Sequence, residues 1–548
     1  MEKSSILDGL EWLNLKCFIL RSPAVWPMFS YEIDLACALN HAGSDVTIST
    51  CHGAPKGCGA NSIFPTAFER SICAECKSTQ RTAIKWTKSE KLSISQIEFD
   101  RLAAPFSTSF ESFCAIILPK ICSNTILHEY FTGRLGPNWV VEAAYSSLMS
   151  FTNNPIPDPQ RYQKIYAKFL FDSYNSTLNS RELMHSYDFD KFFIFNGRTS
   201  LYRPLLRELQ HCGRKEDLYV YEHPFSGGDN DKDRYLISHQ NYHHDLHNFS
   251  KQLRKQFNTS DSDKRTWYYE GNKWFEDRIY SNTHAYKKHV TKYQKDGLLP
   301  VQWKSHKFNI IFFASTEAEW AGIPEISKQR PFQTQADAIL WFSKEIPQDC
   351  DFYIRMHPSN TSETRTLQHT ITESAMDKSF VIPGDSSIDS YAIAKAADLV
   401  ITFGSTISVE AAWLGTRVLT LGPSAYSAFS VGHTVMTKMA LRKFLNELSN
   451  YEKPDREQCR ENACKYVYTL KHCEHPKNYN LGSNTVSVDY LVPNEFTPNL
   501  FIKMLVRTIL LPMNIKKAVF YLKSGGFSKM TYNQKLKLIE KFFWKPTP

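Results

Sequence analysis

No stretch of this 548-residue chain approaches the roughly 20 uninterrupted apolar residues of a membrane-spanning helix. The N-terminus lacks the succession of basic, apolar and small residues that marks a secretory signal, so a cytoplasmic protein is expected. Positive charge is spread thin. A net +9 over this length is far from the concentrated basic stripe of a nucleic-acid-binding protein, so nucleic acid is not an expected partner. The excess suits anionic substrates or a membrane surface. Without a secretory context, the 13 cysteines argue against a disulfide framework, and most lie in apolar surroundings as small core residues. Composition excludes wholesale disorder, with 42% apolar and 22% charged residues. The chain is too long for one core, and two to three domains are expected.

The most informative stretch runs from Ala397 to Gly422 and reads as strand, glycine turn, helix and strand. Leu399 to Thr402 is an apolar run that fits a buried parallel strand, and Gly404 allows a tight turn beneath a ligand. Ser405 or Thr406 then opens a helix, whose unpaired N–H donors and positive dipole end favour an anion. A helix capped by Ser405 for stability alone is the competing reading. Upstream, Phe352 to His357 is another apolar strand, ending in Arg355, His357 and Pro358. Ligands of parallel sheets bind outside the carboxyl ends of strands, which points His357 and Ser405 into one crevice. Ser379 to Ile382 as a strand and Tyr391 to Ala397 as a helix complete half of a doubly wound domain.

These residues carry a resemblance. Phe313-Ala-Ser-Thr-Glu317-Ala-Glu319, Ile354-Arg-Met-His-Pro358, Asp389-Ser-Tyr391, Ala397-Asp398 and Gly404-Ser-Thr406 with Glu410-Ala-Ala resemble the capsule polysaccharide biosynthesis family of glycosyltransferases, over about residues 305–430. That family is similar to Kdo transferases and bacterial sialyltransferases. The resemblance implies an α/β chain of GT-B architecture, two Rossmann-like doubly wound domains facing a cleft. It also implies a nucleotide-sugar donor, CMP-linked by preference, whose phosphate is held by His357, Ser405 and Thr406. The acceptor implied is a glycan or lipid-linked glycan of capsule or lipopolysaccharide type. Three other readings stay open: a phosphotransferase using a CDP-linked glycerol or ribitol, a noncatalytic nucleotide-sugar-binding scaffold, and a UDP-sugar epimerase.

The expected layout is an acceptor-side domain over 1–300, a donor-binding domain over 305–475 and a helical extension over 476–548. In the first domain, Leu15 to Leu20, Phe29 to His41 and Asp45 to Ser49 read as strand, helix and strand, followed by a helix-rich region from Leu92 to His185. Cys51, Cys58, Cys73 and Cys76 form a C-x6-C-x14-C-x2-C cluster among glycines over 51–76, read as an insertion braced by structural Zn²⁺. Scattered free thiols in a loop are the alternative. Lys191 to Phe195 is a strand running into Asn196-Gly197-Arg198, and Leu218 to Tyr221 is a strand running into Glu222. Asn196, Arg198 and Glu222 thus stand at strand ends, where a guanidinium suits a phosphate or carboxylate. The C-terminal segments Phe501 to Leu511 and Lys516 to Leu522 show apolar faces among lysines. They suit core packing or peripheral contact with the inner face of a membrane.

Glycosyl transfer needs stabilisation of the leaving phosphate and a base for the acceptor hydroxyl. The first task falls to Ser405, Thr406, His357 and Arg355, with Gly404 shaping the turn and Glu410 as a ribose acceptor. The second falls to Glu317, Glu319 or Glu222, with Glu317 preferred. No Asp-x-Asp pair directly follows a predicted strand, as it does where Mg²⁺ serves in the other large glycosyltransferase fold, so no catalytic metal is expected.

Overall fold

The computed structural model describes residues 12–476, apart from 24–27, 54, 59–65, 90, 104–108, 153, 223–233, 241–244, 261, 281–293, 324–325, 327, 358–378, 449–454 and 474. The helical extension expected over 476–548, and with it the membrane contact, lies outside the described residues from 477 on, as do Pro358 and the side chain of Glu319. Among the described residues no helix is long and apolar enough to cross a membrane.

Short apolar runs form the strands of two sheets. The first sheet contains β1 (Lys16–Leu20), β2 (Asp45–Thr50), β3 (Ile94–Glu98), β4 (Lys191–Phe195), β5 (Leu218–Glu222) and β6 (Arg234–His239). The first five run parallel in the order β3-β2-β1-β4-β5, and β6 adds antiparallel to β5. Central strands such as β4, Lys-Phe-Phe-Ile-Phe, bury four of their five residues because both faces are covered. The edge strand β3 is mostly exposed. Helices α1 (Met28–His41) and α2 (Thr66–Ser89) flank this sheet. They are followed by α3 (Phe110–Ile117), α4 (Asn124–Leu135), α5 (Val140–Thr152) and α6 (Gln163–Ser186), which carry a core of their own around Phe113, Phe131 and Leu170. The region expected to be helical from Leu92 therefore opens with β3. Helix α7 (Arg203–His211) joins β4 to β5.

Two helices, α8 (Leu246–Thr259) and α9 (Lys264–Tyr280), lead to the second sheet of β7 (Phe308–Phe313), β8 (Cys350–Arg355), β9 (Ser379–Ile382), β10 (Leu399–Thr402), β11 (Arg417–Leu421) and β12 (His433–Val435). All six strands are parallel, in the order β12-β11-β10-β7-β8-β9. Counted within itself, each sheet follows the doubly wound order 3-2-1-4-5. This is the pair of Rossmann-like units expected of a GT-B chain. Around the second sheet lie α10 (Ala318–Ala321), α11 (Gln335–Glu345), α12 (Ser390–Ala396), α13 (Ile407–Trp413) and α14 (Lys438–Asn446).

The last long helix, α15 (Arg456–Cys473), ties the units together. It packs on α9 so closely that a Cβ on Gly271 would meet the Cys464 Cα at 2.7 Å. Phe275 of α9 stacks on Trp413 at 5.3 Å, and α8 and α9 bury Phe249, Leu253 and Trp267 in the core of the second sheet. After α15, the two-residue strand β13 (His475–Pro476) pairs with β6 of the first sheet.

Candidate functional site

In a doubly wound sheet the connections leave the two central strands in opposite directions, and a crevice opens outside their carboxyl ends. In the second sheet those strands are β7 and β10, with Phe313 level with Thr402. Beyond β10, Gly404 takes a φ of 94°, and a Cβ there would stand 3.2 Å from the Pro423 carbonyl oxygen. Only glycine holds this turn without strain. Its N–H donates to Thr402 Oγ1 at 3.1 Å, and Thr402 Oγ1 lies 2.7 Å from Ser408 Oγ, which fixes the inside of the turn. Ser405 is half-buried and Thr406 exposed. Thr406 occupies the N-cap position of α13, yet no side chain caps the helix. Helix capping therefore does not account for these hydroxyls.

The floor of the crevice holds a residue that no local motif announced. Arg330 is buried, lies over Trp320 at 4.0 Å, and donates to the carbonyl oxygens of Phe403 at 2.7 Å and Leu421 at 3.2 Å. It thus clamps the carboxyl ends of β10 and β11, and burial lowers its pKa to about 10. Its partners lie 73 and 91 residues away, so spacing carries no trace of it.

Other expected site residues take varied positions. His357 follows β8, and burial lowers its pKa to about 4, so the imidazole is neutral at physiological pH. Arg355 is turned to the loop after β9, donating to the carbonyls of Pro383 and Ile388. Glu410 is buried in an ion pair with Arg278 of α9. Glu317 is buried, and burial raises its pKa to about 7. One of its oxygens accepts from the Gln335 N–H at 2.9 Å and the other from the Gln335 amide at 3.4 Å, so the carboxyl fastens the start of α11.

In the first sheet, Asn196, Arg198 and Glu222 come together at the ends of β4 and β5. Asn196 has a φ of 58°, its amide donates to Glu222, and its carbonyl oxygen accepts from Arg198 Nε at 3.0 Å. Beside them, at the end of β1, lies a cluster the sequence reading missed. Glu32 of α1 is fully buried; one oxygen accepts from the Ser22 N–H at 2.5 Å and from the Tyr221 hydroxyl at 2.6 Å.

The two crevices face each other. The N–H of Ser200, just past β4, donates to Ser147 Oγ of α5 at 2.8 Å. The neighbouring Ser146 meets Gly322, just past β7 and α10. Helix α5 therefore touches the carboxyl-end loops of both sheets.

Of the four cysteines expected to hold zinc, Cys51 and Cys58 precede α2. Cys73 and Cys76 lie on α2 rather than in a loop. The Gly53 N–H donates to Cys51 Sγ at 3.2 Å, and Arg21 reaches Cys76 Sγ at 3.9 Å. Among the described residues, no three His, Cys, Asp or Glu side chains are grouped to hold a metal ion. Cys76 packs against the core of the first unit.

No family profile matches the chain, and no curated protein matches it. Solved structures do align with it. A KpsC β-Kdo 2,7-transferase from Thermosulfurimonas dismutans is 14% identical, over 52% of this chain and 79% of its own, with a TM-score of 0.33. A glycosyltransferase from Rickettsia africae is 12% identical, over 88% and 99%, with a TM-score of 0.28. Anabaena HepE, solved with UDP, is 10% identical, over 84% and 94%, with a TM-score of 0.25.

Proposed function

We propose that this chain is a glycosyltransferase that takes a sugar from a nucleotide-linked donor and passes it to a hydroxyl of a glycan or lipid-linked glycan. The observation that carries this reading is the meeting of two doubly wound sheets at their carboxyl ends, with the Gly404-Ser405-Thr406 turn and a neutral His357 on one side. The donor phosphate sits at that turn, and its departing charge is stabilised by preorganised donors that need no rearrangement during reaction. His357 acts there as a hydrogen-bond donor rather than a counterion. The family resemblance favours a CMP-linked donor and a capsule-type acceptor.

The test is a thermal-shift screen against CMP-, CDP-, UDP- and GDP-linked donors, with His357→Ala and Ser405→Ala alongside. A ligand that binds only the folded chain raises its melting temperature without any acceptor present. One nucleotide class is expected to stabilise the native chain, and both substitutions to abolish the rise. No stabilisation by any donor refutes the reading and leaves the scaffold alternative. A response to CDP-glycerol or CDP-ribitol alone moves the assignment to phosphotransfer, and conversion of a UDP-sugar without acceptor moves it to epimerisation.

A further inference from the structure

Transfer to a hydroxyl requires a carboxylate with an oxygen to spare, and the carboxylates at the two crevices differ in this respect. Glu317 has both oxygens engaged by Gln335, Glu410 is paired with Arg278, and Glu222 holds Asn196. Glu32 differs. Its Oε1 is fixed by the Ser22 N–H and the Tyr221 hydroxyl, while its Oε2 is fully buried and has no hydrogen-bond partner.

Two further buried atoms in the same neighbourhood share this condition: Arg21 Nε and the Tyr202 hydroxyl. Ser22 touches Glu32 directly, and Tyr202 lies within electrostatic range of both Glu32 and Arg21. Buried polar atoms are almost always matched, and an unmatched one costs its full desolvation. Three of them gathered at the switch point of the first sheet call for a polar guest. Their chemistry describes it: Glu32 Oε2 accepts, Arg21 Nε donates, and the Tyr202 hydroxyl does either. An alcohol hydroxyl satisfies a donor and an acceptor at once. Arg21 is the half-buried member of the cluster.

We infer that Glu32 is the base that accepts the proton of the acceptor hydroxyl, with Arg21 and Tyr202 holding the alcohol in place; this rests on the glycosyl-transfer reading above. The proton passes from the hydroxyl to Glu32 Oε2. The oxygen it leaves forms the new bond to the anomeric carbon, and the old bond to the donor phosphate breaks with its electron pair leaving on the nucleotide. Burial raises the Glu32 pKa to about 7, opposed by its bonds to Ser22 and Tyr221 and by the Arg21 charge. The groups that face this carboxyl or its Tyr202 neighbour are Arg21, Tyr221, Tyr202, Cys58 and Cys76. A base with that pKa is suited to work near neutral pH.

The experiment uses the full chain and the isosteric Glu32→Gln, which keeps an oxygen to accept from Ser22 and Tyr221. Free nucleotide released from whichever donor stabilises the chain is followed from about pH 5 to about pH 9, with methyl glycosides as acceptor probes. The native rate is expected to rise through a midpoint near 7. The variant is expected to lose about 100-fold or more in rate and the pH rise with it, while its donor-induced thermal shift stays intact. Tyr202→Phe, which removes one contact to the alcohol and leaves the base, is expected to raise KM and keep the pH profile. A Glu32→Gln chain that binds donor and keeps the native rate and profile overturns the inference and leaves the glycosyltransferase reading standing. A chain that binds no donor overturns both.

Discussion

The facing of the two crevices depends on a contact that can be attacked from either side. Gly322, at the end of α10, has an ordinary φ of −73°, so alanine there brings no backbone strain. What it brings is a methyl group 2.5 Å from Ser146 Oγ, 3.1 Å from its Cβ and 3.3 Å from its Cα. A rotamer change of Ser146 relieves the first of these and leaves the other two. Overpacking of this kind costs about 1–3 kcal/mol, and here the relief available is a separation of α10 from α5. Ser146→Gly removes both the oxygen and the Cβ, at about 0.5 kcal/mol for glycine in place of serine inside a helix. The double variant keeps that smaller cost and the milder 3.3 Å contact with the Cα at position 146. The two substitutions should therefore couple by about 1–2 kcal/mol in urea unfolding, well above the ~0.5 kcal/mol within which distant sites add. Nucleotide release should fall in Gly322→Ala and recover in the double variant. Strictly additive stabilities would refute the claim that the two units meet through these residues.

Arg278→Met should be among the most damaging single changes in the second unit. It leaves Glu410 buried without its cation, a loss of about 3–5 kcal/mol, and adding Glu410→Gln should recover much of it; equal stability of the single variant and the native chain in denaturant refutes the pairing. A second expectation concerns pH. Asp172 of α6 accepts the N–H groups of Lys56 at 2.7 Å and Gly57 at 2.6 Å, yet burial raises its pKa from 3.8 to about 7. Between those values the unfolded carboxyl has lost its proton and the folded one keeps it, so its contribution to stability falls as pH rises through that window and is constant above it. Urea midpoints of the native chain and of Asp172→Asn should converge with rising pH across the window, and a difference that is flat or of opposite sign would refute the assignment.

What the sequence disclosed was what is written locally. The strands β4, β7 and β10 are built on the apolar runs 192–195, 310–313 and 399–401, because parallel strands are covered on both faces, and Gly404 marks its turn by being glycine. The C-x2-C spacing suits a loop, but Cys73 and Cys76 stand three residues apart on α2, where they share a helix face. The antiparallel β6 escaped notice because Arg-Tyr-Leu-Ile-Ser-His follows a run of aspartates and alternates only weakly. The side chains that give the crevices their chemistry were hidden more deeply. Arg330 acts on carbonyls, which every residue has. Arg278 and Glu410 are separated by 132 positions, and Glu32 and Tyr221 by 189. Glu32 in particular reads in sequence as one polar residue on an amphipathic helix, no different from Glu142 or Glu208. All three make buried or partly buried hydrogen bonds in the fold, and Glu142 and Glu208 are met by arginines. The distinction lies in the oxygen that goes unmet, a property of the assembled crevice that no pattern of residue types encodes.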